Sequence, residues 1–147
     1  IVHGVPKPAQ GRIEVALIKA KGPEGDRMRA SHEGEEEDEQ RAVTHYAVIG
    51  KAASAAWVSL KPVTGRQHQL RAHMAHIGTP IMGDEKYGGL DNMPEGMAKK
   101  LHLHARRIVF PHPREGTIDL SAPLPDHMMQ SFELLRFDPS RFDEDHG

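Results

Sequence analysis

Residues 64–78 have the sequence TGRQHQLRAHMAHIG, the stretch that says most about the fold. Within it, Leu70, Met74 and Ile77 recur at positions i, i+4 and i+7, a spacing that predicts one apolar face of a helix. Gly78 favours the end of that helix, because glycine is common just beyond a helix C-terminus. The polar residues before Leu70 are therefore expected at a junction between a loop and a helix.

The segments on either side of this helix are short and apolar or alternate between apolar and polar residues, which is typical of strands. The small residues at 50–55 join two of them and favour an antiparallel hairpin. These patterns predict an α+β fold with a mainly antiparallel, mixed sheet and two or so packed helices. The predicted strands cover 13–18, 43–49, 56–60, 101–110 and 117–121; a final helix is predicted at 126–137, and a short one at 94–100, where Gly96 disfavours it.

The 147-residue chain is 37% hydrophobic and 27% charged, values typical of a globular domain. Its longest apolar runs are far shorter than the ~20 residues that span a bilayer, so no membrane partner is expected. The lack of cysteine excludes disulfides, thiolate zinc sites and a cysteine nucleophile. It is compatible with the reducing cytoplasm, which is the expected location.

The net charge of −2 hides a segregation of charge along the chain. Six of the 21 acidic residues lie within residues 33–39, a run that contains no base. The other 15 stand against all 19 Lys and Arg residues, so the rest of the chain is moderately basic and favours an anionic partner such as RNA. Residues 21–41, which contain the acidic run and few apolar side chains, are predicted to form an acidic flexible loop.

The densest polar cluster lies at the predicted loop-to-helix junction and contains Arg66, His68, Gln69, Arg71 and His73. A helix start exposes unpaired N–H groups and a partial positive charge, which favour an anionic ligand. Two arginines in different helical phases can divide the work, one holding a phosphate and the other reaching into a pocket. The alternative interpretation is a solvated polar face of a surface helix.

Two histidines, His102 and His104, lie on one face of the predicted 101–110 strand, at a spacing seen in metal sites. No carboxylate or cysteine stands at a fixed ligand spacing from them, so we predict hydrogen-bonding or RNA-facing roles and no metal. In a third cluster, Asp84 could cap or pair with a basic group, and Tyr87 could pack in the core or stack on a base. No nucleotide-binding or nucleophile motif is present, and no cofactor is expected.

In combination, these motifs strongly resemble the ribosomal large-subunit type of pseudouridine synthase. The resemblance covers most of residues 1–20 and 42–136, in the order and spacing of that family. The segments that carry it are 42–46 with Trp57, 64–73, 77–84, 86–88, 101–105, His112-Pro113 and 122–125.

The resemblance implies an RNA pseudouridine synthase, an isomerase that converts uridine to pseudouridine in structured RNA without a metal or an organic cofactor. Ribosomal RNA of the large subunit is the expected substrate, with transfer RNA as the alternative. The target nucleotide must leave its stack before reaction, which requires a basic cradle and a closed pocket. A non-catalytic RNA-binding module that uses the same basic face is the competing hypothesis.

The family's catalytic aspartate belongs to a His-Arg-Leu-Asp segment, and a tyrosine stacks on the target base. Neither is present at the matching place in this sequence, since Gly89-Leu90-Asp91 stands between the wrong motifs. We therefore expect residues 1–20 and 42–137 to form the C-terminal portion of a catalytic domain, followed by a tail at 138–147. The expected partner is the missing N-terminal half, and the chain alone is expected to be inactive.

The resemblance also implies roles for individual residues. Arg71 would pair with the absent catalytic aspartate and, by charge pairing, lower the pKa of that carboxyl. Leu103 would pack against the uracil pocket. The residues expected to contact RNA are Arg66, His68, Gln69, His73, His104 and Arg106.

Overall fold

The structure, a computed structural model, describes residues 1–22 and 25–141. The strands are β1 (Val2–His3), β2 (Gln10–Glu14), β3 (Leu17–Gly22), β4 (Gly25–Ala30), β5 (Val43–Ala52), β6 (Ala55–Pro62), β7 (Arg107–Pro111) and β8 (Thr117–Ser121). The helices are α1 (Gln69–His76) and α2 (Asp126–Leu134), with a 3₁₀ turn at Glu85–Tyr87. The predicted α+β class is confirmed.

The main sheet has four antiparallel strands in the order β1-β6-β5-β2. β5 and β6 form a hairpin that closes at the pair Ala52 and Ala55, which confirms the antiparallel connection predicted from the small residues. The inner face of β6 carries Trp57, whose ring meets Phe132 of α2 edge-on at a centroid distance of 4.9 Å. This aromatic contact is the centre of the core between the sheet and α2.

The other two sheets are isolated hairpins, β3–β4 and β7–β8. The first corrects two expectations. The predicted strand at 13–18 is divided, because β2 pairs with β5 whereas β3 turns away to pair with β4. Residues 25–30 are a strand rather than a loop, because Met28 is buried beside Leu17 and Ala72 and so anchors the hairpin on α1.

Within the predicted acidic loop, Pro23 and Glu24 lie outside the described residues, and so do residues 142–147 of the predicted tail. The acidic run is folded back on the β3–β4 hairpin, where Glu35 accepts two hydrogen bonds from the guanidinium of Arg29 at 2.5 and 2.8 Å. The flexibility of the segment stays a prediction.

Two further predictions of secondary structure are wrong. Residues 101–106 are not a strand, because they return beside the 81–84 loop, where the backbone N–H of His102 bonds to the carbonyl of Met82 at 2.9 Å. The paired strand β7 starts only at Arg107. Residues 94–100 form turns instead of a helix, and Gly96 there has φ +89°, a left-handed conformation that interrupts helical winding.

The helix α1 ends before Gly78, as predicted, but its buried face differs from the predicted apolar stripe. Met74 is fully buried, whereas Ile77 is 37% exposed. The polar side chains of Gln69 and His73 take part in the buried face instead. Among the described residues, no helix is long and apolar enough to cross a membrane.

Candidate active site

The centre of the candidate site is an ion pair between α1 and the loop that follows it. Arg71 donates from Nε to Oδ2 of Asp84 at 2.9 Å and from Nη2 to Oδ1 at 2.7 Å. The Asp84 side chain is fully buried, and that of Arg71 is 19% exposed. The hydrogen bond to Asp84 raises the pKa of Arg71 above its ordinary value, so the guanidinium stays charged. Such two-point contact fixes both position and orientation of the guanidinium plane.

The loop that carries Asp84 is closed on itself by backbone hydrogen bonds. Gly83 N–H donates to Gly89 O at 2.9 Å, and Gly89 N–H donates to Asp84 O at 2.7 Å. A Cβ on Gly89 would lie 1.9 Å from Ile81 O, and one on Gly83, whose φ is +79°, would lie 1.8 Å from Lys100 O. Only glycine fits these two positions, and their close packing holds Asp84 in place.

An aromatic layer covers the exposed side of the ion pair. The Arg71 guanidinium carbon lies 5.2 Å from the centroid of the Tyr87 ring, within cation–π range. The Tyr87 hydroxyl accepts a hydrogen bond from Met28 N–H at 2.8 Å and lies 3.1 Å from Nδ1 of His68. Burial raises the pKa of Tyr87. Of the two roles considered for Tyr87, the structure shows packing.

A second feature is a cleft of about 760 Å³ beside β6. Leu103, His104 and Arg106 line it together with Leu60. His104 Nε2 lies 3.3 Å from Ala122 O, and Nη1 of Arg106 donates to the same carbonyl. The structure therefore brings together three of the residues to which the resemblance assigns roles.

A family model described as RNA pseudouridylate synthase matches residues 1–76. The chain belongs to the RNA pseudouridylate synthase family. It is 36% identical over 115 residues to "Ribosomal large subunit pseudouridine synthase D" of Haemophilus ducreyi, which covers 71% of this chain and 35% of that protein. It is 32% identical over 184 residues to "RNA pseudouridine synthase 4, mitochondrial" of Arabidopsis thaliana, which covers 92% of this chain and 39% of that protein.

The solved structure "Human RNA Pseudouridylate Synthase Domain Containing 4" has a similar fold, with a TM-score of 0.72 and 28% sequence identity. The match covers 93% of this chain and 60% of the human one. This chain thus spans less than half the length of the two curated synthases named above and three fifths of the human structure.

Two residues of this chain that were expected to contact RNA lie inside the domain. Gln69 donates to the carbonyl of Val43 at 2.8 Å and to Thr44 Oγ1 at 3.0 Å. His73 is fully buried, with Nδ1 2.8 Å from Thr44 Oγ1 and Nε2 2.8 Å from Val15 O. Burial lowers the pKa of His73. Both side chains hold α1 against the strands, because their buried polar atoms have partners in the chain. RNA contact by Gln69 and His73 stays a prediction.

The remaining predicted RNA contacts of the junction are accessible. Arg66 is exposed, and its Nε donates to Arg41 O at 2.8 Å. It borders a second, polar cavity of about 390 Å³ together with Lys19 and Gln67. His68 is half-buried at the start of α1. RNA contact by Arg66 and His68, and by His104 and Arg106 in the cleft, stays a prediction.

His102, considered above as a metal ligand, is engaged inside the protein. Its Nδ1 lies 2.6 Å from Lys100 O and its Nε2 lies 2.7 Å from Ser131 Oγ of α2. Burial lowers the pKa of His102 to about 4. Residues 1–22 and 25–141 contain no group of three or more His, Asp or Glu side chains placed to hold a metal ion.

Sequence reasoning missed the partner that Arg71 has within this chain. The local signal was available, since Asp84 was considered as the partner of a basic group. What the sequence did not show is that the chain turns back after Pro80 and brings Asp84 beside α1. Arg71 therefore has a carboxylate partner already, and any second carboxylate that pairs with it must share the guanidinium with Asp84.

Proposed function

We propose that this chain is part of an RNA pseudouridine synthase that isomerises uridine to pseudouridine in structured RNA. The observation that carries the proposal is the match of the chain, in sequence and in fold, to RNA pseudouridine synthases. Large-subunit ribosomal RNA is the proposed substrate, supported by the name of the Haemophilus ducreyi relative. The cytoplasm is the proposed location, with the mitochondrion, where the Arabidopsis relative is named, as the alternative.

The proposed role of Arg71 is to orient and stabilise the catalytic carboxylate. Asp84 occupies Nε and one hydrogen of Nη2, and Nη1 has no protein partner within the described residues. A guanidinium has five N–H donors, so the opposite edge of Arg71 can donate to a second carboxylate. Hydrogen bonds to the ionised form keep such a carboxylate deprotonated. We propose that this second carboxylate belongs to a segment outside these 147 residues, and that the 147 residues alone are inactive.

Leu103 has the proposed role of packing against the target base. It is half-buried and lines the large cleft, where apolar side chains of β6 face it. Such a cleft, apolar with a few polar groups, is the usual form of a pocket for a flipped-out base. Arg106 and His104 on the same wall would then lie near the sugar or the phosphate of the target nucleotide.

The test is the formation of pseudouridine in transcribed large-subunit ribosomal RNA, measured by mass spectrometry. We expect turnover by the full-length protein, none by the 147 residues alone, and a loss of about a hundredfold in kcat for Arg71→Ala, the usual cost of removing one preorganised donor. Arg12→Ala is the matched control, because Arg12 is an exposed arginine on β2 paired with Glu14. Salt-sensitive RNA binding without pseudouridine would favour the non-catalytic module instead.

A further inference from the structure

The backbone of His68 is unusual, and helix capping does not explain it. His68 is the N-cap residue of α1, with φ +51° and ψ +24°, in the left-handed region. A residue with a side chain adopts this conformation at a cost of about 1 kcal/mol or more. Its side chain makes no capping hydrogen bond to α1. A strained backbone persists where the surrounding structure fixes the residue. Here the imidazole of His68 contacts the ring and the hydroxyl of Tyr87.

The hydrogen bonds of Tyr87 favour one tautomer of His68. The Tyr87 oxygen accepts from Met28 N–H at 2.8 Å, and its own proton is then free to be donated. Nδ1 of His68 lies 3.1 Å from the Tyr87 oxygen and can accept that proton. An imidazole nitrogen that accepts a hydrogen bond is unprotonated, so the proton of neutral His68 lies on Nε2.

Burial and the nearby charges favour the neutral form of the His68 ring. Burial is the main cause that lowers its pKa, and the nearby cations Arg71 and Lys86 lower it further. Asp84 acts in the opposite direction but has the smallest effect. Nε2 of His68 has no hydrogen-bond partner within the described residues. The ring is therefore held as a neutral donor whose Nε2–H is unused by the protein.

We infer that Tyr87 is a positioning residue that fixes the tautomer of His68, so that Nε2–H donates a hydrogen bond to an oxygen of the bound RNA beside Arg71. The inference rests on the proposed function, because it takes RNA as the ligand. The acceptor is a backbone phosphate oxygen or a base carbonyl oxygen, both of which accept from a neutral N–H. Tyr87 does not touch the RNA and acts through His68.

The first experiment needs no RNA. In nitrogen-15 spectra of the histidine side chains at neutral pH, we expect His68 with a bare Nδ1 and a protonated Nε2. Tyr87→Phe removes the donor to the neutral ring, so the pKa of His68 should rise toward its ordinary value and the Nδ1 resonance should shift. Tyr46→Phe is the matched control, because it removes the other tyrosine hydroxyl, which bonds to Pro8 O at 2.8 Å away from His68.

The second experiment measures binding of the full-length protein to a stem-loop RNA with uridines in the loop. Tyr87→Phe and His68→Ala should each weaken binding about fivefold to tenfold, the effect of one lost hydrogen bond. His68→Gln should retain binding, because the amide nitrogen of glutamine can replace Nε2–H. In the His68→Gln background, Tyr87→Phe should cost nothing further, whereas a merely structural role of Tyr87 would weaken both backgrounds equally.

The outcomes separate this inference from the proposed function. If His68 in the free protein is cationic or carries its proton on Nδ1, the role of Tyr87 is overturned, and this result does not depend on RNA binding. Failure of the unaltered protein to bind the stem-loop would overturn the proposed function and the RNA contact with it. If the His68→Ala effect persists on a stem-loop with an abasic loop, the acceptor is in the backbone; if it disappears there, the acceptor is a base. No effect of His68→Ala on either RNA would overturn the contact.

Discussion

Two arginine–aspartate pairs in this chain have nearly the same geometry but lie in very different surroundings. Arg71 meets Asp84 at 2.9 and 2.7 Å, and Arg107 meets Asp119 at 2.8 and 2.6 Å, each through Nε and Nη2. The Asp84 side chain is fully buried, whereas that of Asp119 is 48% exposed. The difference teaches that burial, and not bond length, decides what such a pair does for the protein.

The elements that carry the two pairs also differ in how deeply they are packed into the domain. Asp84 lies in a loop closed by Gly83 and Gly89 and packed against the rest of the domain. Asp119 lies on the β7–β8 hairpin, whose apolar residues Ile108 and Leu120 are more than half exposed. The buried pair can orient a guanidinium for chemistry, while the exposed pair at most aligns two strands.

The largest expected effect is that of breaking the buried pair. Arg71→Ala leaves the Asp84 carboxylate buried without its partner, which should lower the free energy of unfolding by about 3–5 kcal/mol. Urea denaturation followed by circular dichroism measures the loss. Arg12→Ala, which removes an exposed arginine, should unfold like the unaltered protein. A loss for Arg71→Ala below about 1 kcal/mol would show that water replaces Arg71 beside the Asp84 carboxylate.

A smaller effect is expected when both members of the buried pair are replaced by apolar residues of similar size. The double variant Arg71→Met, Asp84→Leu leaves no unpaired charge, so its stability should fall by no more than about 1–2 kcal/mol. In the full-length protein, the same double variant should lose the proposed pseudouridine-forming activity, since no donor remains for the proposed catalytic carboxylate. A double variant as unstable as Arg71→Ala would mean that the loop needs the ion pair for its shape.

The smallest effect is expected at the exposed pair. The hydrogen bond from Arg107 lowers the pKa of Asp119, so this pair contributes above the ordinary carboxyl pKa and its contribution is lost as the pH falls. Because water screens both groups, Asp119→Asn should leave the urea midpoint at neutral pH within experimental error. A measurable shift would indicate that the β7–β8 hairpin unfolds together with the rest of the domain.

Local sequence patterns predict much of this fold. The alternation in β5, the small residues between β5 and β6 and the glycine beyond α1 are local signals, and each lies where the structure has the corresponding element. The strand predicted over 101–106 is wrong because this segment lies beside the 81–84 loop and α2, and no strand within residues 1–22 and 25–141 pairs with it. Strand β4 was not predicted because its composition is polar, and the burial of one residue, Met28, compensates for that composition.

The candidate site is harder to predict from the sequence than the fold is. Arg71 and Asp84 are 13 residues apart, and only the return of the chain after α1 brings them together. The polarity of Gln69 and His73 predicts surface positions. Inside the domain, however, each side chain forms hydrogen bonds with backbone groups of other segments. Periodicity cannot reveal such long-range hydrogen bonds, since it reports only which residues of one element share a face.

The aromatic contact between β6 and α2 gives this interface a fluorescence signal of its own. Trp57 is the one tryptophan of the sequence, it is 7% exposed, and its ring touches Phe132. Its fluorescence therefore reports solvent entry at the interface of β6 and α2, whereas circular dichroism averages over all elements. If the two signals change at the same denaturant concentration, the interface and the remaining secondary structure form one cooperative unit.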